Sequence, residues 1–349
     1  MPSSAGTIET RSQERKALGR LLREAFSANR ALTLLGGAML ITFFATLVGI
    51  FVDHRVITGA PAWLKPAKFA ISVSIYCFTF VWLLGYVENR PRLVPLIANV
   101  TVVSLIVEMA AIITQAARGT TSHFNQTTSF NTALWFMMGA FIVLVWTMNL
   151  LLAIMLLLQR MPDRDFAWSL RLGVLISAIG MAAAFFMVTP RREQVARIAG
   201  GYSPHIVGAH SVGVADGGPG LPVVGWSTVG GDLRAAHFVG LHALQILPFV
   251  GWLVSRRKSV PAFLRMKDRV VLVWTFGLGY LGLVLLLAWQ ALRGQSVVHP
   301  DAKTIAAASA MAAAFATSML IALVRALNRN RRKRVFASAI QILSQQEDV

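Results

Sequence analysis

Long runs of apolar residues alternate with short polar segments along most of the chain. A bilayer core of about 30 Å is crossed by roughly 20 apolar residues in a helix. We predict a membrane-spanning helix in each of eight such runs: 31–52, 69–87, 93–117, 133–158, 168–189, 237–255, 270–292 and 303–325. The pattern therefore predicts an all-α integral membrane protein, a bundle of about eight transmembrane helices.

The polar segments divide the chain into three parts. Residues 1–30 are basic, residues 31–325 hold the eight predicted spans, and residues 326–349 form a second basic segment. No small-residue cleavage motif follows the first span, so we expect an anchor and not a signal peptide. At 18–26, leucine and phenylalanine recur at helical spacing opposite arginine and lysine. This pattern predicts a helix on the membrane surface.

The net charge of +18 is unevenly distributed. Of the 33 lysines and arginines, 23 fall in alternate polar segments that include both ends of the chain. Positive loops stay on the cytoplasmic side of a membrane, so we predict that both termini are cytoplasmic. Short basic blocks beside span ends are explained by topology and by anionic lipid headgroups, which argues against a nucleic-acid partner.

All seven histidines fall on the opposite side, here called the outer side. They are His54, His123, His205, His210, His237, His242 and His299. Neutral imidazole is the commonest protein metal ligand and carries protons near neutral pH. Scattered interfacial roles and one shared outer site both remain open at this point.

The stretch GDLRAAHFVGLHALQ places His237 and His242 at the start of the sixth span. On a regular helix the two side chains point about 140° apart, so one ion cannot take both as neighbours on one face. We expect His237 at the mouth of the helix. His242 should lie deeper and be buried, with Gln245 on its face.

The third span carries an acidic residue, Glu108, near mid-bilayer. An acidic side chain there costs about 2.5–3.5 kcal/mol, so it should face the bundle and be paired or protonated. Thr101 and Gln115 share its helical face. The second span has a similar predicted stripe of Lys65, Lys68, Ser72, Tyr76 and Thr79. Its lysines either snorkel to headgroups or hold an anionic group or Glu108.

The third outer loop, about 190–236, holds ten of the 27 glycines together with Asp216, Trp226, Asp232 and Arg234. A loop of this length is expected to bear function, either as a lid over an outer cavity or as a solvated cap. Its glycines match no phosphate-binding fingerprint. Cys77 is the only cysteine, which excludes an intramolecular disulfide and C-x-x-C-H haem attachment but allows haem b held by histidines.

The strings WLKPAKF, QAARGTTSHFN and GWSTVGGDLRAAHFVGLHALQ together resemble a widespread group of bacterial multi-pass membrane proteins. The resemblance covers most of the helical region. It implies a bacterial inner membrane, with the outer side facing the periplasm, and it carries over no catalytic assignment.

Three functions fit these features. The first is a metal- or haem-dependent enzyme, using haem b, Fe, Cu or Zn on a small or lipid-soluble molecule from the bilayer. The second is a proton-coupled transporter or receptor, and the third is an assembly subunit with a membrane-protein partner or a second copy. The candidate residues are Glu108, Arg234 and Asp232 for catalysis, His242, His237, His123 and His210 as ligands, and Lys68, Tyr76, Gln115, Gln245 and Trp226 for substrate.

Overall fold

The computed structural model describes residues 19–201, 205–255 and 263–347. The side chains of residues 192, 333, 334 and 336–347 lie outside this description. The first 18 residues, which include Leu18 of the predicted surface helix, also lie outside the described residues. The same holds for part of the basic loop after the sixth span.

Ten helices account for most of the described residues. They are α1 (described over 19–28), α2 (Arg30–Val52), α3 (Leu64–Leu84), α4 (Leu93–Ala117), α5 (Ser129–Leu158), α6 (Arg164–Val188), α7 (Arg192–Ala199), α8 (Leu233–Ser255), α9 (Met266–Leu292) and α10 (Ala302–Glu347). Two short antiparallel pairs complete the description: β1 (Val56–Ile57) with β2 (Ala60–Pro61), and β3 (Ser211–Val212) with β4 (Gly231–Asp232).

Eight of these helices, all except α1 and α7, are long and apolar enough to cross a membrane. Each overlaps one predicted span, so the prediction of an all-α protein with about eight spans is confirmed at that level. The helix α4 has the predicted bounds, whereas α8 begins at Leu233 and not at residue 237. The earlier start follows from Asp232, whose Oδ1 accepts the Arg234 N–H at 3.0 Å in the first turn.

Asn29 is the N-cap residue of helix α2. Asn29 is extended, with φ −158°, and its Oδ1 accepts the Leu32 N–H at 3.0 Å. An asparagine cap of this kind satisfies one of the free N–H groups of the first turn. The cap therefore separates α2 from the preceding helix.

The chain divides into two compact units. Unit 1 draws its described residues from Met1–Met155 and Val188–Ala209. Unit 2 draws them from Leu156–Met187 and His210–Val349. The third outer loop is thus shared between the units, with the division after Ala209.

Small residues bring helices together within unit 1. The Ser74 hydroxyl of α3 donates to the Gly36 carbonyl of α2 at 2.8 Å. Gly49 of α2 faces the Trp63 ring, and a Cβ there would come within 2.8 Å of that ring. The Trp63 Nε1–H in turn donates to the Asp53 carboxylate at 2.8 Å. Close backbone approach of this type is how membrane helices associate without a hydrophobic driving force.

Unit 2 is built around α6, α8 and α9. Its buried apolar cluster consists of Leu172, Ile176, Ala243, Leu247, Val273 and Val284. Gly180 of α6 and Gly240 of α8 lie so close that a Cβ on either would approach the Cα of the other to 2.4 Å. At the other end of α6, buried Asp165 forms an ion pair with Arg269 of α9 at 2.8 Å. The glycine contact positions the first turns of α8, which carry His237, against α6.

Candidate functional site

Glu108 is buried in unit 1, with 5% of its surface exposed. Thr101, Ser104 and Gln115 are also buried on α4, each at 0%. These residues recur at helical spacing, so the polar stripe predicted on this span is confirmed as an inward face. Lys65, at the start of α3, acts on Glu108 electrostatically. An acidic side chain in a membrane helix faces the interior of the bundle and is paired or protonated, and Glu108 has the expected buried position.

Three buried hydroxyl groups of α3 and α4 lack a hydrogen-bond partner among the residues that the structure describes: Tyr76 OH, Thr101 Oγ1 and Ser104 Oγ. A buried hydroxyl without a partner costs about 1–3 kcal/mol. Thr101 and Ser104 stand on the Glu108 face of α4, toward its Leu93 end. That part of the stripe therefore retains unused hydrogen-bonding capacity.

Toward the Ala117 end of α4, the stripe continues into a hydrogen-bonded network. The Gln115 amide donates to Asn131 Oδ1 of α5 at 3.0 Å. Arg118 donates to Gln115 Oε1 at 2.9 Å and to Asn131 Oδ1 at 3.0 Å. Its guanidinium also lies over the Phe130 ring, 4.4 Å from the centroid. The network links the buried helix face to exposed Arg118 at the helix end.

The loop after α4 is ordered by its own polar side chains. Asn125 is buried and donates to Thr120 Oγ1 at 2.9 Å and to the Thr121 carbonyl at 3.0 Å. Its Oδ1 accepts from the Thr127 hydroxyl at 2.7 Å. The adjoining backbone pairs with the third outer loop, since the Gln126 N–H donates to the His205 carbonyl at 2.8 Å. Neither Asn125 nor Asn131 was among the predicted site residues, although the density of Thr and Asn in this stretch was a signal.

His123 lies half-buried in the same loop among aromatic rings. Its ring centroid is 6.0 Å from that of Phe69, 6.1 Å from that of Phe124 and 5.4 Å from that of Trp135. Its Nδ1 is 3.1 Å from the Ser122 hydroxyl. The histidine is thus in contact with three aromatic rings and with the Ser122 hydroxyl.

The polar stripe predicted on α3 is only partly buried. Ser72 is exposed, and Lys65, Lys68 and Tyr76 are half-buried. The face that packs carries small and apolar residues instead: Ala67, Ala70, Val73, Ser74 and Cys77. The packed face of α3 in unit 1 is thus formed by small residues, which allow close contact between helices.

His237 and His242 have different surroundings in unit 2. His237 lies in the second turn of α8, and its Nδ1 is 2.9 Å from the Gly180 carbonyl of α6. His242 is exposed, with half-buried Gln245 one turn further along the helix. The expected burial of His242 is wrong, because its face of α8 is turned away from the packed core that holds Ala243, Leu244 and Leu247.

His210, in the part of the third outer loop that belongs to unit 2, pairs with the carboxylate of Asp216. Its Nδ1 is 2.8 Å from Asp216 Oδ2. The backbone N–H groups of His210 and Ser211 donate to the same carboxylate at 3.0 and 2.8 Å. Burial alone raises the pKa of Asp216, but these hydrogen bonds and the His210 charge outweigh it, so the pKa lies well below its ordinary range. Asp216 is therefore ionised throughout the physiological range.

This pair predicts an acid-sensitive contribution to stability. A carboxylate whose pKa is lowered by folding stabilises the protein above its unfolded pKa of about 3.9, and the contribution is lost as the pH falls toward the folded value. We expect the melting temperature of the wild type to fall more steeply from pH 5 to pH 2 than that of Asp216→Asn. Parallel melting curves across the acid range would contradict the pairing.

Asp232 and Arg234 form an ion pair that is hydrogen-bonded to the neighbouring loop. Asp232 is buried and its carboxylate accepts from Arg234 Nε at 2.9 Å, Arg234 Nη2 at 2.6 Å and the Ser227 N–H at 2.8 Å. Arg234 also donates to the Gly225 carbonyl at 2.5 Å. Trp226 is half-buried beside Phe238, with ring centroids 6.4 Å apart. This part of the third outer loop is thus fastened to the start of α8.

The predicted ligands and the predicted catalytic residue Glu108 are distributed over both units: His123 and Glu108 belong to unit 1, and His210, His237 and His242 to unit 2. Among the described residues, no group of three or more His, Cys, Asp or Glu side chains could hold a metal ion. Comparisons of the chain with protein families, with curated proteins and with solved structures find no match. The candidate chemistry therefore rests on the geometry within each unit.

Proposed function

We propose that this chain is a proton-coupled transporter in which Glu108 binds and releases the proton. The single observation that carries the proposal is the buried stripe of Thr101, Ser104, Glu108 and Gln115 along α4. We further propose the bacterial inner membrane as its location. Both termini would then be cytoplasmic and the histidine-bearing loops periplasmic, as the distribution of basic residues indicates.

The position of Glu108 supports a role in proton transfer. At about 1.5 Å per residue, it lies roughly 14 Å from the Ala117 end of α4, in the apolar part of the helix. Ionisable residues at such depth mark ion pathways and proton relays in membrane proteins. A carboxylate shielded from water can gain and lose a proton in response to small changes in its surroundings.

The neighbours of Glu108 support a path in both directions along the helix. Toward Ala117, Gln115 leads through hydrogen bonds to Arg118 at the helix end. Toward Leu93, the hydroxyls of Ser104 and Thr101 stay available to donate and accept. Water and hydroxyl chains transfer protons through such groups, so the stripe can serve Glu108 from either end.

Two measurements on one matched set of variants test the proposal. In the wild type, infrared difference spectra between acid and alkaline pH should contain a carboxylic-acid band that Glu108→Gln removes. Proteoliposomes holding a pH-sensitive dye should take up protons under an inside-negative potassium diffusion potential, and Glu108→Gln should return uptake to the rate of protein-free vesicles. The isosteric variant Glu193→Gln, at an exposed position on α7, should match the wild type in both.

Two results would contradict a proton path through Glu108. A carboxylic-acid difference spectrum that is unchanged in Glu108→Gln would assign the proton to another group. Wild-type vesicles that are no more permeable to protons than protein-free vesicles would reject a continuous proton path along α4 while leaving Glu108 as a proton site.

A further inference from the structure

We infer that Arg164 and Arg171 of α6 form a binding site for the phosphate group of an anionic phospholipid. The site lies in unit 2, at the start of α6 and beside the turn that follows α5. Glu108 and its stripe belong to unit 1. The inference therefore does not depend on the proposed transport of protons.

Two arginines and a tryptophan lie on one face of α6. Arg164, Trp168 and Arg171 follow one another at steps of four and three residues, which places their side chains on the same side of a helix. The Arg171 guanidinium lies over the Trp168 ring, 5.0 Å from its centroid. Trp168 in turn packs against Trp274 of α9, with ring centroids 4.7 Å apart. Tryptophan is enriched where a span meets the lipid headgroups, so this face lies at headgroup level.

Arg171 lies about two turns inside α6, but its side chain turns back toward the start of the helix. Its Nε donates to the Leu156 carbonyl at 2.9 Å and its Nη2 to the Gln159 carbonyl at 2.6 Å. These carbonyls stand at the end of α5, where a helix leaves its last C=O groups without partners. The Arg164 charge acts on Arg171 electrostatically. Two like charges repel, and an anion close to both relieves that repulsion.

The acidic residues of the same segment do not neutralise these arginines. Asp165 is buried, pairs with Arg269 of α9 at 2.8 Å and accepts from the Ser255 hydroxyl at 3.1 Å. Asp163 and Arg164 are both exposed, and neither takes part in an ion pair within the described part of the chain. The start of α6 therefore carries an excess of positive charge that an anion can balance.

The chemistry of the site selects a phosphate that belongs to a lipid. The forked N–H donors of arginine match the oxygens of a phosphate group. Directly before Gln159, Leu157 and Leu158 are 39% and 72% exposed and offer an apolar surface to acyl chains. A soluble phosphate would use the arginines and leave the leucines uncovered. Basic sites between membrane helices on the cytoplasmic side, where we predict this turn, bind anionic headgroups in this way.

Native mass spectrometry of the full-length protein in neutral detergent tests the inference, with phosphatidylglycerol as the probe. The first phosphatidylglycerol should bind the wild type at least about fivefold more tightly than phosphatidylcholine does. Arg164→Gln should weaken this binding by at least about fivefold, because it removes a charge-assisted contact with the phosphate. Arg164→Lys keeps the charge but not the forked donors, so its affinity should fall between the two. Glycerol 3-phosphate at equal concentration should displace no phosphatidylglycerol.

Matched variants separate this site from the general charge of the protein. Arg90→Gln in unit 1 and Arg332→Gln on α10 each remove one exposed positive charge, and both should bind phosphatidylglycerol like the wild type. Melting temperatures show whether Arg164→Gln is folded. Undiminished binding in folded Arg164→Gln, or an equal loss in the two control variants, would overturn the inference. Displacement by glycerol 3-phosphate would overturn the assignment to a lipid, and none of these results bears on Glu108.

Discussion

Replacing Gly180 with valine should lower the free energy of unfolding of unit 2 by about 3 kcal/mol, through overpacking at a backbone contact. A Cβ at Gly180 would stand 2.4 Å from the Cα and 2.5 Å from the carbonyl carbon of Gly240. Backbone atoms cannot rotate away as a flexible side chain can, so α6 and α8 must separate. The hydrogen bond between His237 and the Gly180 carbonyl crosses the same contact and should be lost with it.

Thermal unfolding in detergent measures this effect. For a unit of this size, we expect a fall in the melting temperature of roughly 6–12 °C. Gly37→Val in α2 and Gly139→Val in α5 are matched controls, because a Cβ at either position meets nothing within 4 Å. Both should melt close to the wild type, since valine has a slightly better helix propensity than glycine. A Gly180→Val protein as stable as these controls would show that the two helices do not touch there.

The sequence predicts the helices of this protein well because the bilayer imposes a length on each apolar run. The bounds of α4 follow directly from such a run, and so does the burial of Glu108, because an exposed carboxylate would be too costly at that depth. The predicted start of α8 was too late, because the arginine soon after Asp232 lowers the hydropathy of the first turn. A cap that depends on one side-chain contact leaves little trace in hydropathy.

The surroundings of the candidate residues could not be read from the sequence in the same way. Helical periodicity defines the faces of α8 but not which face has a neighbour, so the burial predicted for His242 was wrong. The contact between His210 and Asp216 depends on a loop that folds back on itself, and its spacing matches no known motif. The network around Asn131 joins two helices and a loop. Such contacts are set by tertiary structure and not by local pattern.

Replacing Asp232 with asparagine should destabilise unit 2 by about 3 kcal/mol, because it breaks a buried ion pair and leaves the Arg234 charge without its carboxylate. Asp232 is 2% exposed, and its oxygens already accept four hydrogen bonds, two from the Arg234 guanidinium, one from the Arg234 N–H and one from the Ser227 N–H. Asparagine offers one oxygen and no charge, so it can replace only part of this set. The loop before α8 should loosen, and thermal unfolding together with proteolysis between residues 216 and 231 should report it.

A second ion pair in unit 2 provides the control for Asp232. Asp301 pairs with Arg293, but 38% of its side chain is exposed, and exposed pairs contribute little. Asp301→Asn should therefore change the melting temperature much less than Asp232→Asn. The comparison also decides between two roles for Asp232, which the sequence offered as a catalytic candidate. If Asp232→Asn kept the stability of the wild type and lost function, the carboxylate would act in chemistry; a loss of stability places it among the groups that hold the loop on α8.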